Sequence, residues 1–459
     1  MAKNVLIRGE ARIGWVFDGS VDMPERSVML QDTADRILLT IPFRADGVLR
    51  GDVADDPYAK WFVSNLTEIA PGVRAMSGDE TAECPPSLIF RDPAGPVSLA
   101  DCRMVSMVTV EPSGVSNGEV VANVAVIGGD SLAYGTVNGV RSELSGLFEW
   151  ANLGLLYIQT KDDDNPTRQA SIHIERGGDL RLADSLGLTL HSEAFIASDG
   201  RQSVKGVQFC ALVTADQDAR SWEDHLAMHN AIRDLLTISA WEPIGYTSLE
   251  AYRDDDLVRL PDGRTVDQWK TVVTHMVPPP SERPQYGYRF LVTLRELGAQ
   301  GVQKWLDLRT ELPEVVALLT QLRSGMLPYL GTAVLNTGIA LEYVATHLAQ
   351  LEPGHPHLKT VKGRASRLKS YKTGLQVVLD SFDHPIVRDP ASWISDADDC
   401  YQAQKHPDRP EPHAQVRHDT YQRNLLILRA WLAKEIGLDE TTIHTRLSYD
   451  GQMNQYLAH

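Results

Sequence analysis

Apolar and polar residues alternate with a period of two along the first 215 residues. Segments such as RILLTIPF, SLIFRD and EVVANVAVIG carry this alternation and are separated by Gly, Pro, Asp and Asn turns. Short alternating runs bounded by turn residues are typical of half-buried strands. The pattern therefore predicts an antiparallel β-sandwich or barrel-like region over residues 1–215.

The period then lengthens to that of a helix. Residues 221–241, SWEDHLAMHNAIRDLLTISAW, predict one amphipathic helix, and the polar stretch YRDDDLVRLPDGRTVDQW follows it as a connector. Residues 276–284, MVPPPSERP, contain three consecutive prolines, which favour an extended linker. We therefore expect residues 216–284 to form a helical connector that ends in a Pro-rich linker.

Helical periodicity dominates residues 285–459. It is carried by PEVVALLTQLRSG, GTAVLNTGIALEYVATHLAQL, LKTVKGRASRLKSYKTGLQVVLDSF and DTYQRNLLILRAWLAKEIG. In the third segment, apolar residues from Leu358 to Phe382 recur at heptad-like positions, which predicts a buried face with the cations outside. These residues predict an all-α helical bundle, so the whole chain is expected to be an α+β multidomain protein.

A shorter helix is predicted to end inside residues 400–413, CYQAQKHPDRPEPH. Asp389 and Pro390 are a typical N-cap and first-turn proline for this helix. Because Pro407 cannot continue it, His406 should lie at or just past its carboxyl end, presented rather than packed. The helix dipole there favours a protonated imidazole. Further cations and histidines share the loop: Lys405, Arg409, His413, Arg417 and His418. This combination suits contact with an RNA backbone, although a solvated charged loop would show the same composition.

Charge divides the chain into two unlike parts. The net charge is −17, but residues 285–459 contain 19 basic and 19 acidic residues, so the first 284 residues carry the whole excess. The neutral part contains a run of six cations with no acid between Glu352 and Asp380: Lys359, Lys362, Arg364, Arg367, Lys369 and Lys372. Such a run can neutralise several phosphates and predicts salt-dependent RNA binding, unless it is only a solvated helix face.

Composition excludes several other classes. A length of 459 residues suggests about three domains, and no apolar run approaches the ~18 residues of a membrane span or the pattern of a signal peptide. The four cysteines are far apart, which argues against disulfides and zinc and fits a reducing cytoplasm. The chain has no Walker loop, His-Glu-x-x-His or Gly-x-Ser-x-Gly motif. The acids near His406 are spread around a helix and predict a solvated face. We therefore expect no cofactor, no metal and no membrane contact.

Four short motifs suggest a lineage: VSLADC (97–102), GLFEW (146–150), ALEY (340–343) and AQKHPD (403–408). Their order and spacing, with a β-rich region before a helical bundle, resemble the ApeA-type HEPN proteins of bacteria. This resemblance implies anti-phage defence of the abortive-infection type. The N-terminal region would sense infection, with a phage protein as a possible trigger, and a HEPN domain would cleave RNA, with tRNA the expected substrate. It also implies a homodimer or higher homo-oligomer formed through the HEPN domain.

HEPN chemistry, as the resemblance implies it, needs no metal. A histidine takes part in proton transfer between the ribose 2′-hydroxyl and the phosphate, and an arginine stabilises the developing charge. The family signature is Arg-x4–6-His, often with a polar residue after the arginine. His406 matches the histidine and Glu342 matches an acidic residue that supports the site from another helix. Tyr401 occupies the arginine position, with Gln402 after it, and Lys405 and Arg409 are the nearest cations that could substitute.

The missing arginine leaves two hypotheses open. Losing one donor for developing charge typically costs about 2.7–4 kcal/mol in the transition state, so the protein is either a ribonuclease with a substituted cation or a degenerate HEPN module that binds RNA or protein without catalysis. Two other Arg-x4-His matches, Arg168 to His173 and Arg220 to His225, lie outside the bundle and are no more than chance predicts. Because positions five apart on a helix are about 140° apart, we expect His406 to meet its symmetry mate across a two-fold interface.

Overall fold

The protein is represented by a computed structural model. It describes residues 3–20, 26–44, 56–62, 66–70, 73–76, 84–105, 115–153, 156–161, 169–175, 177–183, 187–198, 204–259, 265–266, 269–324, 329–352, 355–359 and 367–458. The chain forms two compact units, each assembled from three separate segments. The first unit contains Met1–Glu143, Leu212–Ala227 and Tyr246–Pro280, and the second contains Leu144–Ala211, Met228–Gly245 and Ser281–His459.

The described residues form twenty strands. In chain order they are β1 (Ala11–Phe17), β2 (Ser27–Asp32), β3 (Ile37–Arg44), β4 (Leu66–Ala70), β5 (Val73–Met76), β6 (Ser87–Asp92), β7 (Gly95–Met104), β8 (Val115–Ile127), β9 (Thr136–Leu144), β10 (Leu156–Lys161), β11 (Gln169–Ile174), β12 (Asp179–Ala183), β13 (Leu188–Ser198), β14 (Val204–Ser221), β15 (Tyr246–Tyr252), β16 (Val258–Arg259), β17 (Thr265–Val266), β18 (Lys270–Thr274), β19 (Leu358–Lys359) and β20 (Arg367–Leu368).

The same residues form ten α-helices and one short 3₁₀ helix, Asn454–Tyr456. The α-helices are α1 (Ala59–Phe62), α2 (Leu147–Ala151), α3 (Trp222–Ala240), α4 (Leu294–Glu311), α5 (Pro313–Ser324), α6 (Leu330–Leu351), α7 (Tyr371–Asp380), α8 (Pro390–Lys405), α9 (Ala414–Glu435) and α10 (Glu440–Ser448). None of the helices in the described part of the chain is both long and apolar enough to cross a membrane.

The first unit is built around a closed antiparallel barrel. Strands β8, β3, β2, β1, β6 and β7 are hydrogen-bonded in that order, and β7 pairs again with β8 to close the sheet. Burial alternates along β1, β2 and β3, as the two-residue period predicts, whereas β6 and β7 contain consecutive buried residues. On β3 the inward residues are fully buried: Ile37, Leu39, Ile41 and Phe43. The prediction of a β-rich N-terminal region is confirmed, with a barrel as its form.

The polar stretch predicted as a connector after α3 lies between two strands of the first unit, β15 and β18, and contains the two-residue strands β16 and β17. Strand β18 pairs with β8, and β15 pairs with β18. Acids of this polar stretch pair with basic residues in or next to it. Lys270, only 6% exposed, forms an ion pair with Asp256 and lies 3.2 Å from the hydroxyl oxygen of Tyr134. A buried charge is tolerated when it is paired in this way.

The second unit contains the helices of the C-terminal part, as the helical periodicity predicts. Helix α6 is central and packs against α5, α7, α8 and α9. A helix surrounded by other helices must be apolar on most sides, and small residues let its neighbours approach closely. Its buried positions are Gly331, Ala333, Val334, Thr337, Gly338, Ala340, Leu341, Val344, Ala345 and Ala349.

Three features of this part differ from the sequence prediction. The long helix expected between Leu358 and Phe382 begins only at Tyr371, because β19 and β20 form a two-stranded hairpin before it. Helix α4 was not predicted, and Gly298 interrupts its helical dihedrals with φ 57°. Helix α10 follows Gly437 and was also not predicted. The domain bounds at residues 215 and 284 remain a prediction, although one boundary between the units, after Pro280, falls in the expected linker.

Candidate active site

Helix α8 presents the residues at the centre of the sequence prediction. The Asp389 side chain accepts a hydrogen bond from the Ser392 amide at 3.2 Å, and Pro390 occupies the first turn, as the capping pattern predicts. Trp393 is fully buried, and its indole N–H donates to Asn424 Oδ1 of α9 at 2.9 Å. A side-chain cap therefore begins the helix, and one buried anchor fixes its inner face against α9.

His406 lies just past the end of α8. Its amide still donates to the Gln402 carbonyl at 2.9 Å, but its dihedrals are extended (φ −124°, ψ 102°), as Pro407 requires of the residue before it. The side chain is exposed and has no hydrogen-bond or ion-pair partner among the described residues. The prediction that Pro407 ends the helix and leaves His406 at its end is confirmed.

Tyr401 is a core residue of the second unit. It is 2% exposed, and its ring stacks on Tyr371 of α7 with centroids 4.1 Å apart. Its hydroxyl donates to Glu342 Oε2 on α6 at 2.5 Å. Burial raises the pKa of Tyr401 above its ordinary value, and the hydrogen bond to Glu342 and the negative charge of that carboxylate raise it further. The hydroxyl therefore remains a neutral donor at physiological pH.

Lys405 completes a cluster with these two residues. Its ammonium lies 3.7 Å from Glu342 Oε2 and 4.1 Å from the centroid of the Tyr401 ring. We call Glu342, Tyr401 and Lys405 the Glu342 cluster. The Lys405 side chain is 42% exposed, so its ion pair is of the kind that contributes only about 0.2–1 kcal/mol and can exchange partners easily.

The remaining two predicted site residues lie apart from this cluster. Gln402 donates from Nε2 to Asp398 Oδ1 at 3.3 Å, within its own helix. Arg409 follows the helix end, where its amide donates to the His406 carbonyl at 3.0 Å. Its side chain is exposed and has no partner among the described residues. Of the two cations that could substitute for the missing arginine, Lys405 is paired with Glu342, whereas the Arg409 side chain has no partner among the described residues.

The basic run is only partly described. Lys362 and Arg364 lie outside the described residues, and Arg367 is described as a strand residue paired with Lys359. The other members are exposed, and Lys372 lies 3.5 Å from Asp398 of α8 in an ion pair. The run therefore spans a hairpin and the start of α7 rather than one helix face.

The stacked pair of tyrosines is the feature that sequence reasoning missed. Tyr371 and Tyr401 are thirty positions apart on different helices, and no periodic pattern links them. The hydroxyl of Tyr371 is buried without a hydrogen-bond partner in the described part of the chain. Gly338 makes room for the pair, since a Cβ there would lie 2.6 Å from Tyr401 Cδ2. A glycine in the middle of an apolar helix was the available signal for such close packing.

The histidine of the Arg220-to-His225 match is a packing residue. His225 is 2% exposed, and its ring nitrogens lie 2.7 Å from Thr214 Oγ1 and 3.1 Å from the Val137 carbonyl oxygen. Arg168 of the remaining match lies outside the described residues. As for metals, the residues that the structure describes include no group of three or more His, Cys, Asp and Glu side chains that could hold an ion.

Comparison with known families assigns the lineage. A family model described as ApeA N-terminal domain 1 matches residues 60–305, more than half of the 459 residues. The chain belongs to this family. It is therefore an ApeA-like protein. Neither the curated proteins nor the solved structures that were compared with it include a match.

The ApeA match explains two of the four motifs and leaves the other two open. VSLADC and GLFEW lie inside the matched range, and both are packing elements: Leu99 lies on β7 with 1% exposure, and Trp150 of α2 is fully buried. Gly146 begins α2 in the left-handed region with φ 75°, a conformation that favours glycine. ALEY and AQKHPD lie after residue 305, so the family match does not extend to the candidate active site of this ApeA-like chain.

Proposed function

We propose that this ApeA-like protein acts in anti-phage defence and that its C-terminal helices form a HEPN-type ribonuclease domain. The observation that carries the proposal is His406, an exposed histidine held at a helix end beside Lys405 and Arg409, in a chain that belongs to the ApeA family. RNA is the substrate class, with tRNA the first to test. The N-terminal region would sense infection, with a phage protein as trigger.

The proposed reaction is a transesterification within the RNA strand. The ribose 2′-oxygen attacks the adjacent phosphorus as the bond to the 5′-oxygen of the next nucleotide breaks. The products are a 2′,3′-cyclic phosphate and a free 5′-hydroxyl. His406 would move the proton between the 2′-hydroxyl and the leaving oxygen, a role that suits an imidazole near neutral pH.

Arg409 is the cation best placed to stabilise the developing charge. It is exposed, lies three residues after His406 and has no side-chain partner among the described residues. Its planar guanidinium can donate two parallel hydrogen bonds to phosphoryl oxygens. Lys405 can join it only by leaving Glu342, which the weakness of an exposed ion pair allows.

A second candidate function is a non-catalytic RNA-binding or sensing module. It is favoured by one observation: the position that aligns with the family's arginine is the buried Tyr401, whose hydroxyl is held by Glu342. A side chain in that place offers no donor to a phosphate in solvent. The domain would then retain the packing of a nuclease without its charge-stabilising group.

The test uses purified full-length protein and tRNA, with and without phage lysate, in buffer containing EDTA. The nuclease proposal expects cleavage with a 2′,3′-cyclic phosphate end, and a loss of about 10²–10⁴-fold in rate for His406→Ala. Arg409→Ala should cost about 10²–10³-fold. His384→Ala and Arg295→Ala replace exposed residues of the same types elsewhere and should leave the rate unchanged.

The outcomes separate the two functions. Cleavage that survives His406→Ala would refute the site assignment. No cleavage by the parent protein, together with cleavage by Tyr401→Arg, would establish the degenerate module. Light scattering on the same samples measures the assembly state, for which we propose a homodimer that brings two copies of His406 together. A monomer that cleaves at full rate would contradict that assembly.

A further inference from the structure

The second unit contains two adjoining cavities beside Trp241. The first has a volume of about 870 Å³ and is lined by the end of α3, by residues of the 284–291 segment, by the end of α10 with the turn after it (446–452), and by Arg429. The second, of about 640 Å³, shares Trp241, Gly451 and Gln452 with the first. We call the two together the Trp241 cleft. None of its residues belongs to the Glu342 cluster.

The floor of the Trp241 cleft carries a buried charge, Arg429, that is paired within the protein. The Arg429 guanidinium is buried and donates to the carbonyls of Ile238 and Ser239 and to the Asp450 carboxylate. It also lies 5.7 Å from the centroid of the Trp241 ring. Trp241 itself has φ 52°, a left-handed conformation that a bulky residue keeps only when its surroundings fix it.

The rim of the cleft carries unused aromatic and cationic groups. Tyr286 is 78% exposed and Tyr449 is 72% exposed, which leaves their rings free to stack on a ligand. Arg289 donates from Nη1 to the Tyr449 carbonyl at 3.2 Å, and its side chain is otherwise exposed. Of the two acids that line the first cavity, Glu242 is paired with Arg323 and Asp450 with Arg429. The groups available to a ligand are therefore two aromatic rings and an arginine, a combination that suits nucleobases joined by phosphates.

The cleft is also lined by α6, the helix that carries Glu342. The second cavity reaches Leu330 and Ala333 in the first turn of α6. Gly331, between them, packs against the side chain of Gln404, where a Cβ would lie 2.5 Å from Oε1. Gln404 is two residues before His406 on the same helix end. The α6 residues that line the second cavity are therefore sequence neighbours of Gly331, which contacts the helix that presents His406.

We propose that the Trp241 cleft binds a single-stranded segment of RNA, with bases stacked on Tyr286 and Tyr449 and a phosphate on Arg289. This inference rests on the proposed function, because it names the strand that His406 would cut. A single strand is required because the faces of paired bases are covered by their neighbours in a duplex. A site with two separate aromatic rings and an arginine fits an oligonucleotide better than it fits one isolated nucleotide.

Binding can be measured without cleavage by using full-length protein that carries His406→Ala. The probe is a fluorescein-labelled single-stranded RNA of about 12 nucleotides, followed by anisotropy over a range of KCl concentrations. Tyr286→Ala and Tyr449→Ala should each raise Kd about fivefold or more, as expected for the loss of one stacked base. Arg289→Ala should weaken binding and reduce the slope of log K against log salt by about 0.7.

Matched variants provide the controls. Phe195→Ala removes an exposed aromatic ring elsewhere in the second unit, and Arg295→Ala removes an exposed arginine from the start of α4; neither should change Kd or the salt slope. Binding that falls as much in these variants as in the cleft variants would overturn the inference. So would AMP competing as strongly as the oligonucleotide, or duplex RNA binding as tightly as the single strand.

The test also distinguishes this inference from the proposed nuclease. RNA binding that depends on the two tyrosines, in a protein that cleaves nothing, supports the cleft and refutes the ribonuclease. Cleavage with a Kd that is indifferent to all three cleft variants supports the ribonuclease and refutes the cleft. Photo-crosslinking of RNA containing 4-thiouridine should label peptides that contain Tyr286 or Tyr449, and labelling confined to other peptides would refute the assignment.

Discussion

Tyr401→Phe is the substitution that tests the role of the Glu342 cluster most directly. It removes one hydroxyl and keeps the ring that stacks on Tyr371 at 4.1 Å. The lost contact is a 2.5 Å hydrogen bond from a buried hydroxyl to the carboxylate of Glu342. Packing is conserved, so any change in stability reports the hydrogen bond alone.

The magnitude follows from the burial of the two partners. A hydrogen bond to a charged group contributes about 1.5–3 kcal/mol to the free energy of unfolding. The Glu342 side chain is 46% exposed, so water can replace the lost donor and the effect should lie at the low end, about 1.5 kcal/mol. Lys405 remains beside the carboxylate in both proteins and largely cancels from the comparison.

The effect of this substitution on the free energy of unfolding should depend on pH in the alkaline range. Burial, reinforced by Glu342, raises the pKa of Tyr401 above its ordinary value near 10. A raised pKa gives a contribution that is fully present below pH 10 and is lost as the pH rises toward the folded-state pKa. One proton changes the free energy of unfolding by about 1.4 kcal/mol per pH unit, so the difference between the two proteins should nearly vanish by about pH 11.

The assay is urea unfolding followed by far-UV circular dichroism at pH 8 and pH 11. Tyr401→Phe should have a lower midpoint than the parent at pH 8 and a similar midpoint at pH 11. Tyr329→Phe is the control, because that side chain is 91% exposed and should show no difference at either pH. Equal midpoints at pH 8, or a gap that persists at pH 11, would refute the reasoning.

Substitutions at Gly338, Gly331 and Arg429 probe the packing around the site and the cleft. Gly338→Ala places a Cβ 2.6 Å from the Tyr401 ring and should lower the free energy of unfolding by about 1–3 kcal/mol. Gly331→Ala meets only the flexible end of Gln404 and should be close to neutral. Urea midpoints compare the two variants, and equal losses would contradict the packing argument. Arg429→Met removes the ion-pair partner of Asp450 and the guanidinium donors to the Ile238 and Ser239 carbonyls, and it should cost about 3–5 kcal/mol in the same assay. Arg429→Lys should be only partly better because it lacks the planar fork, and an unchanged midpoint would show that the buried pair contributes no net stability.

Helix α8 was predictable because its signals are local. Each end of the helix is determined by residues next to it: the Asp389 cap and Pro390 at the start, and Pro407 after the end. Both ends can therefore be located from the sequence. The strands of the barrel were predictable for the same reason, since their two-residue period follows directly from which face is buried. Its closure was not, because the pairing of β7 with β8 depends on the register of every strand between them.

The predictions that differ from the structure also have physical reasons. A heptad-like pattern from Leu358 onward could not reveal that β19 and β20 pair as a hairpin, because apolar spacing alone does not distinguish a short buried strand from a helix. The environment of Tyr401 was beyond prediction because its partners come from α6 and α7. Tyr401 was considered as a functional position, and the structure places it in the core, where packing alone would account for its residue type.

The second unit has a consequence for where the protein can be divided. Residues 228–245 are bound to the C-terminal helices by the indole of Trp305, which donates to the Ala231 carbonyl, and by the guanidinium of Arg429. A fragment that begins at the Pro-rich linker would expose these groups and the apolar surface around them. The boundary in the proline-rich stretch therefore does not separate the second unit from the rest of the chain, because two segments of that unit precede it. We therefore expect a fragment that begins there to lack part of its own core, which ties the C-terminal helices to the whole chain.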